Sequence, residues 1–313
     1  MKIQAKGDKA MKLHFDVCGK TQPDPFIFRD DDGKFYIYNT GIDGIHAYSS
    51  DSLTGVWHYE GIILTMPRGD EYWAPSMIKY EGKYYLYFSY HIPGMFEHMH
   101  VAVSEKPLGP FENVTRLYKR FTIDSHVVQT DAGLFLWYAE DNINCERIGT
   151  RIFIDRLLDP FTPANICKEV IVPTYDEEIT GMRYERPWHT VEGPFWFCED
   201  GWQYVMYSGG AFTDDTYHIG YAAAKTDEQD LCKVDYVKIT DGGKFHPVMF
   251  RNEVEEGVGH HSVIKVDGQY FAIYHARDRK ERQERTEGYT EARTARICKL
   301  FVKDGVITAE KMD

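Results

Sequence analysis

One phrase recurs five times along this chain, and its recurrence limits the possible folds more than any other feature. It reads "DPFIFRDDDGKFYIYNT" from Asp24, "WAPSMIKYEGKYYLYFS" from Trp73, "DSHVVQTDAGLFLWYAE" from Asp124, "EGPFWFCEDGWQYVMYS" from Glu192 and "GHHSVIKVDGQYFAIYH" from Gly259. Each copy is an alternating apolar run, a turn carrying Gly, and a second run rich in Tyr and Phe. Alternation at period two on either side of a turn reads as two β-strands joined in a hairpin. The turn glycines, Gly33, Gly82, Gly133, Gly201 and Gly268, are 49, 51, 68 and 67 residues apart. A repeat of that length has room for about four strands, the content of one propeller blade. Five such units account for all 313 residues. The expected fold is therefore all-β, a five-bladed β-propeller forming a single domain over residues 1–313.

Helices find little support. No sustained i, i+3, i+4 apolar pattern occurs outside "TDEQDL" (226–231) and "DRKERQERTEGYTEAR" (278–293). The second stretch is dominated by charges and turn formers and reads as a long loop near the site. Closure of a propeller needs a strand from one terminus to complete a blade begun by the other. "KLHFDV" (12–17) and "RICKLFVKDGVITAEK" after the last phrase are expected to supply it.

A net charge of −13 and the lack of a basic stripe exclude a phosphate-seeking surface, so no nucleic-acid partner is expected. The six cysteines are scattered without a C-x-x-C pair, which reads as free thiols in a reducing compartment. The N-terminal "MKIQAKGDKAMKLHF" lacks the apolar run of a secretory signal, and no stretch of about 18 apolar residues offers a membrane span. A cytoplasmic location with no membrane partner is the expectation.

The position nine residues before each turn glycine reads Asp24, Trp73, Asp124, Glu192 and Gly259. In a propeller the innermost strands line a central channel, so equivalent positions converge at one end of it. Three carboxylates brought together there resist ionising at once, and one is pushed towards its protonated form. A proton donor beside a base is what hydrolysis of a glycosidic bond requires. The plainer alternative is that Asp and Glu at strand starts only cap turns.

The stretches "DPFIFRDDDGKFYIY", "YWAPSMIKYEGKYYLYFS", "IDSHVVQTDAGLFLWY", "VEGPFWF", "GHHSVIKVDGQYFAIYHA" and "RTARICKLFVKDG" occur in the order in which glycoside hydrolase family 43 carries its motifs. Over nearly its full length the chain resembles that family of five-bladed propellers. The resemblance implies inverting hydrolysis of arabinosyl or xylosyl linkages, with Asp24 as general base and Glu192 as general acid. Asp124 is then the residue that raises the acid's pKa and orients it. Arg293 matches the family arginine that contacts the sugar, although in "EARTAR" it reads equally as a solvated charge. Trp73 is a natural platform for the apolar face of a sugar ring, or else a core tryptophan. Trp188 and Phe26 are further pocket-lining candidates that packing alone would also explain.

In the fifth phrase the register residue is Gly259, followed by His260 and His261. The resemblance implies that His260 faces the channel and holds Ca2+ or another ion through waters. A hydrogen-bonded channel histidine without metal is the alternative, since two adjacent histidines have neither zinc nor EF-hand spacing. His275 reads as structural. No cofactor is otherwise required. The expected activity is an exo-acting α-L-arabinofuranosidase on an arabinose- or xylose-containing glycan, with β-xylosidase as the near alternative. A non-catalytic glycan- or protein-binding propeller and a propeller phosphorylase are the readings from outside this class. Three carboxylates in register and the lack of a phosphate-binding cluster weigh against them.

Overall fold

The computed structural model describes residues 10–310, and each phrase folds as a hairpin that begins a four-stranded blade. Blade one is Phe26–Arg29, Phe35–Asn39, Ile45–Ser50 and Val56–Leu64. Blade two is Glu71–Tyr80, Lys83–His91, His98–Ser104 and Glu112–Arg116. Blades three and four start with Ile123–Thr130 and Arg186–Glu199, and blade five with Glu255–Val266. The first strand of each blade packs against the first strands of the next, around a common axis. The architecture is the expected five-bladed β-propeller. Among the described residues the only helical pieces are short 3-10 turns, so 226–231 forms no α-helix, and the stretch after Asp278 up to 293 is a loop with two such turns.

The aromatic alternation explains how blades stack. In the second strand of blade one, Tyr36 and Tyr38 face blade two, while Phe35 and Ile37 face blade five. In blade three, Leu134, Leu136 and Tyr138 face blade two, while Phe135 and Trp137 face blade four. A strand at the middle of a blade is buried on both sides, so both of its period-two faces are apolar. The result is five separate hydrophobic cores, one between each pair of neighbouring blades. The axis is left to polar groups.

The clasp forms where the sequence led us to expect it. Met11–Lys12 pairs antiparallel with Arg296–Ile297 of blade five, and His14–Phe15 pairs parallel with Val56–Trp57 of blade one. Leu13, between the two, is buried with Tyr48, Trp57 and Ile297.

The inner strands share one irregularity that sets up everything at the axis. In blades two to five, two residues of the first strand stand opposite one residue of the second, a β-bulge. The first bulge residue has left-handed backbone: Ala74 at φ 45°, Asp124 at 61°, Gly193 at 59° and His260 at 45°. Asp24 at φ 53° occupies the same place in blade one, two residues before the Phe26–Tyr38 pair. The ladder therefore aligns Asp24 and Asp124 with His260, and puts Glu192 one residue earlier, level with Trp73, Ile123 and Gly259. Counting back from the turn glycine hid this offset. In blades two, four and five the glycine is the second residue of a two-residue turn, whereas Gly133 already belongs to the following strand.

The clasp generates a stability prediction. Leu13→Ala removes apolar volume shared by the first and last blades, at a cost of about 2–5 kcal/mol. Urea unfolding should show a lower midpoint with one cooperative transition. A loss below about 1 kcal/mol, smaller than ordinary core truncations, would mean that the clasp contributes little to holding the ring.

Candidate active site

A bulge takes its first N–H out of the sheet ladder, and a buried N–H needs another acceptor. In four blades the acceptor is a side chain of the preceding blade. The Asp24 N–H donates to Nδ1 of His275 (3.1 Å) and the Ala74 N–H to the Thr40 hydroxyl (2.8 Å). The Gly193 N–H donates to Oδ2 of Asp124 (3.0 Å) and the His260 N–H to the Ser208 hydroxyl (2.7 Å). These bonds hold the bulges in a fixed ring and aim their side chains at one end of the axis.

That end is a cavity of about 280 Å³. Asp24, Asp124 and His260 line it from the bulge tier, and Trp73, Ile123 and Glu192 from the tier above. Thr40, Tyr217, Phe212, Glu291 and Arg293 complete the wall. Six of the residues expected from sequence, Asp24, Trp73, Asp124, Glu192, His260 and Arg293, thus meet in one place. Two do not. Phe26 points below the cavity, against His126 and Phe195 (ring centroids 6.1 Å from each), because it follows the bulge by two residues. Trp188 is buried in blade four beneath Arg183 (4.3 Å) and Tyr184, four residues before Glu192, and does not line the cavity.

The three carboxylates differ in what surrounds them. Asp24 is buried, which opposes its charge, yet the positive charge of Arg293 and the polar contacts of His260 and His275 offset that cost and hold it far below the ordinary carboxylate range. Its Oδ2 accepts from Thr40 (2.5 Å), while Nη1 of Arg293 (3.4 Å) and Nδ1 of His260 (3.3 Å) approach Oδ1. Asp124 is pushed well up by burial, then by the charges of Glu192 and Asp24. Glu192 is raised to about 7, chiefly by burial and next by Asp24, against the hydroxyl of Tyr217 (2.7 Å) and the charge of Arg293, which pull it down. Asp24 is thus an ionised base, and Asp124 with Glu192 is a pair that retains a proton near neutrality.

Sequence reasoning missed Thr40 and Tyr217. Thr40 ends the phrase "KFYIYNT" and carried no separate signal. Tyr217 had an indirect one in Gly259. A Cβ there would stand 2.0 Å from Cε1 of Tyr217, so the missing side chain in the fifth phrase is room for this ring. Arg277, also unforeseen, is fully buried. It donates to the carbonyl oxygens of Phe212 and Asp214 (2.6 Å to the latter), and its guanidinium lies 5.5 Å from the ring of Tyr289. It ties together the two loops that carry Phe212 and Glu291.

The ion expected at His260 finds a poor fit. Donor atoms of Asp124, Glu192 and His260 lie within 4.8 Å of one another, but all three line the cavity that the sugar would occupy. The space beneath them, bounded by His126, His261 and the bulges, is about 20 Å³. That is room for about one water, not for a calcium with a shell of six to eight oxygens.

The chain was also compared with known proteins. It is 26% identical over 281 residues to an "Extracellular exo-alpha-(1->5)-L-arabinofuranosidase" of Streptomyces chartreusis, covering 84% of this chain and 82% of that one. It is 24% identical to "Xylosidase/arabinosidase 43A" of Humicola insolens, covering 85% of each. A solved thermostable family-43 glycoside hydrolase superposes with a TM-score of 0.78 at 25% identity, over 95% of both chains. The expected cytoplasmic location does not stand, because the Streptomyces relative is named extracellular and points to secretion. Residues 1–9, on which that expectation partly rested, lie outside the described part of the chain. The model of the glycosyl hydrolases family 43 matches residues 17–307, and with that match, the propeller and its carboxylate-lined cavity, the chain belongs to glycosyl hydrolase family 43.

Proposed function

We propose that this glycosidase removes single terminal α-L-arabinofuranosyl units from arabinose-containing glycans, with inversion at the anomeric carbon. One observation carries the reading: three buried carboxylates share a cavity, one held ionised and two held towards protonation. Asp24 is the general base that takes a proton from the attacking water, and Arg293 and Thr40 keep its carboxylate charged and oriented. Glu192 is the general acid that protonates the departing oxygen. Asp124 is a positioning residue, accepting the Gly193 N–H beside the acid and sharing a proton with it, because the buried pair resists carrying two charges. Trp73 offers a flat apolar face to the sugar ring. A cavity of about 280 Å³ lies just below the range of drug-sized pockets, about 300–1,000 Å³, which supports an exo enzyme that holds one sugar. The name of the Streptomyces relative supports arabinofuranose as that sugar, and the Humicola relative keeps β-xylosidase as the second reading.

Inversion is directly observable. Proton NMR of the first product, before mutarotation, should show the anomer opposite to the substrate's. Retention would imply a covalent intermediate and remove Asp24 from the base role.

The two catalytic carboxylates should separate by leaving group. General-acid help is worth about 10²–10⁴-fold where the departing oxygen needs a proton. Glu192→Gln should lose that factor on an arabino-oligosaccharide and largely spare an aryl arabinofuranoside. Asp24→Asn should damage both alike. Equal slowing by Glu192→Gln, with leaving-group dependence in Asp24→Asn, would exchange the two roles.

The pH profile follows from the directions of the shifts. The base is needed ionised and its pKa is depressed, so kcat/KM should stay flat into acid. The acid is needed protonated, so kcat/KM should fall as pH rises through about 7. Asp124→Asn removes the second acid of the pair, so losing the last proton no longer leaves two adjacent negative charges, and the alkaline limb should move to lower pH. A limb that stays fixed would detach Asp124 from the acid.

A further inference from the structure

We infer that Tyr217 is a positioning residue that decides which oxygen of Glu192 carries the acidic hydrogen and how tightly the carboxyl holds it. The inference rests on Glu192 being the general acid. Tyr217 directly precedes the strand His218–Lys225 and is fully buried. Its hydroxyl donates to Oε1 of Glu192 at 2.7 Å. The ring has little freedom, because one face stacks on His275 (5.7 Å between centroids, 11° between planes) and Gly259 closes on its edge. The far side of His275 leads to the base, through its bond from the Asp24 N–H.

A phenol has one hydrogen to give. Burial, followed by the negative charges of Glu192, Asp24 and Asp124, pushes the ionisation of Tyr217 far upward, so it stays a donor. With Oε1 engaged as an acceptor, the hydrogen of protonated Glu192 belongs on Oε2. The other charged groups acting on Glu192 are Asp24 and Asp141, which favour its proton, and Arg293, which opposes it, while Asp124 is the second acid of the buried pair. His260 and His275, near the base, are kept neutral chiefly by burial. Tyr217 therefore offsets part of the repulsion from the neighbouring carboxylates and keeps the acid able to release its proton as well as hold it.

Tyr217→Phe keeps the ring and its stack and removes the donor. A hydrogen bond to a charged group stabilises that form by enough to shift a pKa by about 1–2 units. The alkaline limb of kcat/KM should therefore move up by about 1–2 pH units. At acid pH, kcat on an arabino-oligosaccharide should fall about tenfold through loosened orientation, with an aryl arabinofuranoside spared. Placing 3,5-difluorotyrosine at position 217 strengthens the donor in the same shape and should move the limb the other way. A residue that only fills space would give neither shift, and a limb fixed in the folded Tyr217→Phe protein or in the fluorinated one overturns the inference. Glu192→Gln measured alongside keeps the two ideas apart. If it retains full activity on the oligosaccharide, the acid assignment fails. If it shows the leaving-group dependence while Tyr217→Phe leaves the limb in place, only the role of Tyr217 fails.

Discussion

The bulge at the head of each inner strand is the constraint on which the rest of this molecule depends. It bends the strand towards the axis and releases a backbone N–H that the sheet no longer satisfies. In blades one, two, four and five that N–H is taken by a side chain of the blade before it, so the orphan donors become a ring of links between blades. Asp124 serves twice, as the acceptor for blade four and as a wall of the cavity. The left-handed backbone at Asp24, Asp124 and His260 costs about 1–2 kcal/mol at each non-glycine residue. The convergence of functional groups is built into the same strain.

Because the apolar cores lie between blades, the axis is polar but enclosed, and water does not equalise its charges. Small differences in neighbourhood then give three similar acids different proton affinities. Arg293, at 8% side-chain exposure, supplies the positive charge on the side of Asp24. Its guanidinium is itself held over the ring of Phe212 (4.5 Å) and by Glu291 (2.9 Å). On the opposite side Asp124 and Glu192 face each other with only neutral donors, a backbone N–H and a phenol, bonded to them.

The blades, their order and most of the cavity were legible in the sequence because one hairpin phrase repeats with alternating aromatics. The exact ladder register was not legible, since it depends on whether a glycine sits in a turn or just after it. That is why Asp24, Asp124 and Glu192 appear equivalent when counted and differ by one residue when paired. The offset is harmless to the site, because the longer glutamate side chain starts one tier higher and reaches the same space. Trp188 illustrates the opposite limit. Four residues before Glu192 in a strand, it packs under its own hairpin, and composition alone cannot tell a sugar platform from a core tryptophan. Tyr217 and Arg277 sit just outside the repeated phrase, Tyr217 at the end of a loop and Arg277 near the end of a strand, where the phrase carries no signal.

Arg277 gives the rim of the cavity a mechanical character. One buried guanidinium holds two carbonyl oxygens of the loop carrying Phe212 and faces a tyrosine of the loop carrying Glu291. These stretches are distant in sequence yet share a single anchor, so neither can be lengthened or redirected without disturbing the other. In descent, insertions that reshape the mouth for a different glycan would have to change both loops together or abandon the arginine first.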